Sequence, residues 1–274
     1  MPELPEVETI AEYLRKGKDG LPLEGQVICS AEVLWERSLA EPRLEEFNPR
    51  IAGQKICRVG RRAKFLKIEL DRDVLLVHLR MSGDLRVERE QVGALAQHDR
   101  VVLHLEGGWR LVFNDTRKFG RVWLVSDAQD VLGGLGPEPL EAEFSADGLF
   151  GRLQGHPRQL KPLLLDQAFL AGLGNIYTDE ALNLARLNPN RRANGLSREE
   201  AERLWVAIRA VLAEGIRRHG ASIDWVYRGG DFQNSFRVYQ RTGQPCPECG
   251  TAIRRVVVGQ RGTHYCPTCQ PEPN

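Results

Sequence analysis

Four cysteines near the C-terminus restrict this chain more than any other feature. Cys246-Pro247-Glu248-Cys249 and Cys266-Pro267-Thr268-Cys269 make C-x2-C-x16-C-x2-C, the spacing by which four thiolates enclose one structural zinc ion. With all four tetrahedral positions taken by protein, the Zn2+ builds structure and has no open position for water chemistry. A pair of disulfides is the competing reading; it fits poorly with a chain that lacks a signal peptide. The stretch 251–265 reads as two strands around Gly259-Gln260-Arg261-Gly262. That predicts a zinc-pinned hairpin with Arg261 at its tip and Arg254 and Arg255 on its flank. Arginine at such a tip suits contact with phosphate.

The other two cysteines, Cys29 and Cys57, stand alone in apolar, strand-like surroundings and are expected to fill the core. A length of 274 residues is enough for two domains with separate cores. Lys and Arg number 38 against 37 Asp and Glu, a net charge of +1, so a nucleic-acid partner must be held by local basic clusters and not by bulk charge. Lys161 and Asp166 interrupt the best apolar run, which excludes a membrane span. The acidic N-terminus excludes a signal peptide, and a cytoplasmic protein is expected.

The N-terminus is Met1-Pro2-Glu3-Leu4-Pro5-Glu6-Val7-Glu8. Removal of Met1 before the small residue leaves Pro2 with a free secondary amine, and α-amino groups titrate near ~8. Such an amine attacking a sugar carbon yields an iminium, an electron sink of the kind an elimination needs. Glu3 stands beside it as a candidate proton carrier. Val7, Ile10, Ala11 and Leu14 recur at helical spacing, so residues 5–16 form an amphipathic helix that Pro5 starts. A helix dipole lowers a nearby carboxyl pKa, whereas a general acid needs it raised, so burial has to prevail if Glu3 is to give up a proton.

Beyond this helix, strand-like runs at 26–30, 54–59, 65–70, 74–79, 100–105, 110–114 and 121–125 have the intervals of an all-β sandwich. Gly53, Asp71-Arg72-Asp73, Ser82-Gly83 and Gly107-Gly108 read as turns. Met81 falls at a loop tip and is expected to be exposed unless it folds back on the core. Leu132-Gly133-Gly134-Leu135-Gly136-Pro137-Glu138-Pro139 reads as an interdomain linker, and helical periodicity follows it. A short helix is expected over 160–165, then the turn Gly172-Leu173-Gly174, then a helix over 175–185 with Asn175 at its N-cap. The free N–H groups at that helix start suit a phosphate, although two helices packed in an α-domain account for the pattern equally well. Ser197 and Glu200 make a capping box for a helix over 197–219 that ends at Gly220.

Taken together, these pieces resemble the formamidopyrimidine-DNA glycosylases. The resemblance rests on residues 1–9, on Arg61-Arg62-Ala63-Lys64-Phe65-Leu66, and on His78-Leu79-Arg80-Met81-Ser82-Gly83. It continues through Asp115-Thr116-Arg117-Lys118-Phe119-Gly120, Leu135-Gly136-Pro137-Glu138-Pro139-Leu140, Gly172-Leu173-Gly174-Asn175-Ile176-Tyr177 and the cysteine finger. It implies an α+β protein with a catalytic β-sandwich domain and its N-terminal helix over 1–132 and a linker over 133–143. A helix-two-turns-helix domain over 144–236 and a zinc finger over 237–274 complete it. The implied partner is double-stranded DNA carrying an oxidised base, bound by a monomer in the bacterial cytosol with the DNA in the cleft between domains.

By the same resemblance, Pro2 attacks C1′ of the damaged nucleoside and Glu3 assists ring opening. Lys64 lies near the strand-breaking chemistry, and Arg261 assists elimination as well as holding phosphate with Asn175. His98 and Arg117 hold backbone, as does Arg158 from His156-Pro157-Arg158. Met81, Arg117 and Phe119 fill the space of the flipped base. The implied activity is removal of 8-oxoguanine and formamidopyrimidines, followed by β,δ-elimination of the abasic strand. Leu4, where relatives acting on oxidised pyrimidines usually carry Gly, favours the purine branch. The alternatives are a zinc-finger protein that binds damage without chemistry and a glycosylase preferring oxidised pyrimidines. The segment 220–236 looks shorter than the family's base-capping loop, which bears on lesion preference.

Overall fold

A computed structural model describes residues 1–18, 20–222 and 229–272. The chain divides into two compact units. The first comprises Met1–Pro2, Glu6–Gly133 and Ser222–Gly229, the second Glu3–Pro5, Gly134–Ala221 and Gly230–Asn274.

The first unit is a β-sandwich. Helix α1 (Leu4–Lys16) sends Val7, Ile10, Ala11 and Leu14 inward, as its spacing predicts. One sheet has the order β1-β7-β8-β6 (Ile28–Val33, Asp99–Leu105, Trp109–Asp115, Gly83–Arg89). The other runs β2-β9-β5-β4-β3 (Leu39–Glu41, Arg121–Val125, Val74–His78, Phe65–Leu70, Ile56–Arg62). Residues of both sheets and of the helices at 4–16 and 44–51 share one core, including Ile28, Phe47, Leu66, Ile68, Phe113 and Leu124. Every expected strand is present.

Several elements escape the sequence reading. Strand β6 begins at Gly83, which the sequence assigns to a turn; its inward Leu85 and Val87 alternate with Asp84, Arg86 and Glu88. Strand β2 is only three residues long and pairs parallel to β9. Helix α2 (Leu44–Ile51) contains Pro49, a residue that argues against helix, yet Phe47 and Ile51 are buried on its inner face. Cys29 and Cys57 are corrected outright, since both are exposed. Strand pleating sends neighbours to opposite faces, so Ile28 and Ile56, both fully buried, turn the following cysteine outward.

The second unit is helical. After the short α3 (Gln129–Leu132), the last helix of the first unit, it contains α4 (Ala146–Gln154), α5 (Leu160–Leu164), α6 (Asn175–Leu184) and α7 (Arg198–Arg217). Ser197 caps α7 and closes the expected box with Glu200. Gly136 and Pro137, expected as linker, are hydrogen-bonded to Gln167 and Ala171. The finger hairpin is β10 (Arg254–Val258) and β11 (Arg261–Tyr265). Its two-residue turn, Gly259-Gln260, has φ of 54° and 63°, the left-handed pair that matches strand twist. Arg261 is therefore the first residue of β11 beside the tip, not the tip itself.

Candidate active site

Glu3 precedes α1 but is anchored far along the sequence. Only 2% exposed, its carboxylate accepts hydrogen bonds from the backbone N–H of Gly174 at 2.7 Å, Ile176 at 2.9 Å and Tyr177 at 3.4 Å. These are donors that the start of α6 leaves without helical partners. Leu4 N–H donates to Gly172 O at 3.1 Å. Gly172 and Gly174 allow this approach. A Cβ on Gly174 would stand 2.2 Å from the Glu3 carboxyl carbon, and one on Gly172 would stand 2.6 Å from Leu4 Cδ1. The acid is thus immobilised one peptide bond from Pro2. The start of α6 thus holds the carboxylate of a residue at the opposite end of the chain.

Lys64 sits in the two-residue turn between β3 and β4, where Ala63 has φ of 52°. It is 5% exposed. His78, at the end of β5, is buried against the edge of Phe65, and its Nδ1 accepts the N–H of Arg80 at 3.0 Å. Burial, reinforced by the charges of Arg80 and Lys64, pushes its pKa down to about 3. His78 is a neutral prop for the turn that carries Met81. Met81 is exposed, as expected, and so is Phe119, with the Arg117 guanidinium over its ring.

His98 is half-buried, and Arg100 reaches its Nδ1 at 3.2 Å. An arginine only donates, so Nδ1 accepts and the ring hydrogen lies on Nε2. Arg158 pairs with Asp166 at 2.7 Å on the surface of the second unit.

In the second unit, α6 and the finger are bolted together. Asn175 is the first residue of α6, and Gly174, not Asn175, occupies the cap. Asn175 Nδ2 donates to Gly262 O at 3.0 Å. The fully buried Lys161 donates to the same carbonyl at 3.1 Å and to Asp179 at 2.6 Å. Burial pulls the Lys161 ammonium below its ordinary value while Asp179 opposes that shift. Asp179 also accepts the N–H of His264 at 2.8 Å. Glu180 accepts three N–H groups, from Arg237, Val238 and Tyr239, at the entry to the finger. Burial raises its pKa despite them. None of Lys161, Asp179 and Glu180 stands out in the sequence, because a charge within a helix reads as surface until its partner is known.

The four finger sulfurs all lie within 4.8 Å of one another, with Cys249 3.5 Å from both Cys266 and Cys269 and Cys246 3.9 Å from Cys269. Zinc–sulfur bonds of about 2.3 Å at tetrahedral angles place sulfurs about 3.8 Å apart. The donor set therefore fits one structural zinc ion.

Comparisons with known proteins agree with this architecture. Residues 1–122 match the formamidopyrimidine-DNA glycosylase N-terminal domain, 135–226 the H2TH domain of the same family, and 243–271 the zinc finger found in FPG and IleRS. The formamidopyrimidine-DNA glycosylase of Pelotomaculum thermopropionicum is 47% identical over 98% of this chain and 99% of its own. That of Chloroflexus aurantiacus is 46% identical over 98% of each. Among solved structures, the Lactococcus lactis enzyme non-covalently bound to DNA containing an AP site superposes with a TM-score of 0.90. It is 35% identical over 99% of this chain and 100% of that one. MutM in complex with DNA containing carbocyclic 8-oxo-G gives 0.90 at 36% identity over the same shares. With nearly the whole chain matched at this level, the protein belongs to the formamidopyrimidine-DNA glycosylase family.

Proposed function

We propose that this chain is a bifunctional DNA glycosylase and abasic-site lyase that removes oxidised purines, 8-oxoguanine and formamidopyrimidines, from duplex DNA. The observation that carries the reading is the immobilised Glu3 next to Pro2. Once Met1 is removed, the Pro2 nitrogen uses its lone pair to bond C1′, and the glycosidic electrons leave with the base. Glu3 moves a proton as the C1′–O4′ bond opens, which leaves an iminium on Pro2. Loss of a C2′ proton then expels the 3′ phosphate, and a second elimination expels the 5′ phosphate. Lys64 and Arg261 supply positive charge near the leaving phosphates.

His98, Arg117, Arg158 and Asn175 are read as backbone contacts, Arg158 only if it exchanges Asp166 for phosphate. Met81, Arg117 and Phe119 are read as filling the gap left by the flipped base, which costs a few kcal/mol of stacking and pairing to extrude. Their exposure supports this. Of the segment 220–236, residues 223–228 lie outside the described residues; its ends close on each other where Phe232 N–H donates to Gly220 O at 3.0 Å. The relatives are bacterial, which supports action in the bacterial cytosol on the chromosome.

Borohydride reduction during turnover on a duplex with one 8-oxoguanine tests the assignment. Protein and DNA should become crosslinked, with the adduct on a peptide beginning at Pro2. Normal crosslinking by an N-terminally acetylated or extended chain would mean that the nucleophile is another amine, Lys64 first.

A further inference from the structure

We propose that Asp115, through Ser82, joins the loop bearing Met81 to the loop bearing Arg117 and Phe119, so that the two act as one wedge. The proposal rests on the reading of those three residues as gap-fillers. Gly83 and Asp115 are register partners at the ends of β6 and β8, so both loops spring from one point of the sheet. Asp115 is fully buried. Its Oδ1 accepts the Ser82 hydroxyl and the Arg117 N–H at 3.1 Å, and its Oδ2 accepts the Gly120 N–H at 2.7 Å. The Ser82 oxygen takes the same Arg117 N–H at 3.0 Å. One carboxylate and one hydroxyl thus serve both loops.

The bases of the loops are also closed against one ring. A Cβ on Gly83 would stand 2.9 Å from Phe113, and one on Gly120 would stand 2.3 Å from it. The tips remain in the open, Met81 at 40% and Phe119 at 51% exposure. Two independent short loops would each lose conformational freedom on entering a duplex. Loops already tied together at the base have lost most of it in the free protein. Ser82 and Asp115 are positioning residues in this scheme and touch no DNA.

The test is a set of double-mutant cycles on single-turnover excision of 8-oxoguanine opposite cytosine. In the parent chain, Met81→Ala and Phe119→Ala should be non-additive by about two- to tenfold, as coupled neighbours are. In a Ser82→Ala background, the same pair should become additive. Ser82→Thr, which keeps the hydroxyl, should restore the coupling. A general loss of stability would scale the single effects without changing their coupling, so the readout separates positioning from mere folding. Coupling that survives Ser82→Ala, or that is lost equally with Ser82→Thr, overturns the proposal while the wedge reading stands. If Met81→Ala and Phe119→Ala each excise normally, the wedge reading fails and takes this proposal with it.

Discussion

In the sandwich, exposed Met81 and Phe119 stand on a core drawn from two sheets, α1 and α2, with hydrogen bonds to one buried carboxylate setting the loops. In the finger, Arg261 stands on a hairpin whose own core is Val238, Cys246, Ile253 and Cys266. So few apolar groups cannot outweigh the conformational entropy of the ordered chain. The finger depends instead on thiolate–metal bonds and on polar fastenings to α6, namely Asn175 and Lys161 on Gly262, Asp179 on His264 and Glu180 on 237–239. A large core lets hydrogen bonds do fine positioning. Without one, metal ligation and hydrogen bonds carry the fold itself.

The contrast can be broken most severely at the metal. Structural zinc contributes about 10–16 kcal/mol of apparent folding free energy in isolated fingers. Chelation or Cys249→Ser should therefore unfold the hairpin and abolish DNA binding while the sandwich keeps its strand signal in circular dichroism. Metal-depleted protein that binds duplex normally would remove the distinction.

Next in size is the Glu180 fastening. Glu180→Ala leaves three N–H groups without their acceptor, of which that of buried Val238 costs roughly 1–3 kcal/mol. Hydrogen exchange should rise sharply at 237–239 and in the hairpin, with the sandwich unaffected. Equal protection in mutant and parent would show that zinc alone orders the finger.

On the sandwich side, His78 makes stability depend on pH. Its folded pKa of about 3 lies below the ordinary 6.5, so between those values the unfolded chain binds a proton that the folded one refuses. Stability from this group is complete above pH 6.5 and falls as pH drops toward 3, by at most about 1.4 kcal/mol per pH unit. Urea unfolding at pH 7 and pH 4, compared between the parent chain and His78→Gln, should show a difference of about 3 kcal/mol in that drop. Parallel pH profiles would mean that His78 titrates normally.

The smallest effect is expected from the phosphate contact proposed for Arg261. Arg261→Gln should weaken binding to damaged and undamaged duplex alike and flatten the slope of log affinity against log salt by about 0.9. Met81→Ala should leave that slope unchanged and reduce only excision. A changed slope for Met81→Ala would erase the line between clamp and wedge.

Features that depend on neighbours along the chain were legible without coordinates. The cysteine spacing, the Ser197 capping box, the helical period of α1 and the alternation of most strands all arise from local geometry. Short β2 and Pro-containing α2 were not, because each forms only when a distant partner takes up its backbone or its inner face. The exposure of Cys29 was not legible for a related reason: an apolar neighbourhood does not say which side of the pleat a residue takes.

The proposed reaction centre divides along the same line. Pro2 and Glu3 are conspicuous in the sequence as an amine and an acid, and residues 78–83 and 115–120 as two turns. Only the tertiary structure decides that Glu3 accepts N–H groups from residues more than a hundred and seventy positions away, or that Asp115 serves both turns at once. A hydrogen bond needs its donor and acceptor within about 3 Å, and chain order does not set that distance for remote residues; the packing of the whole core does.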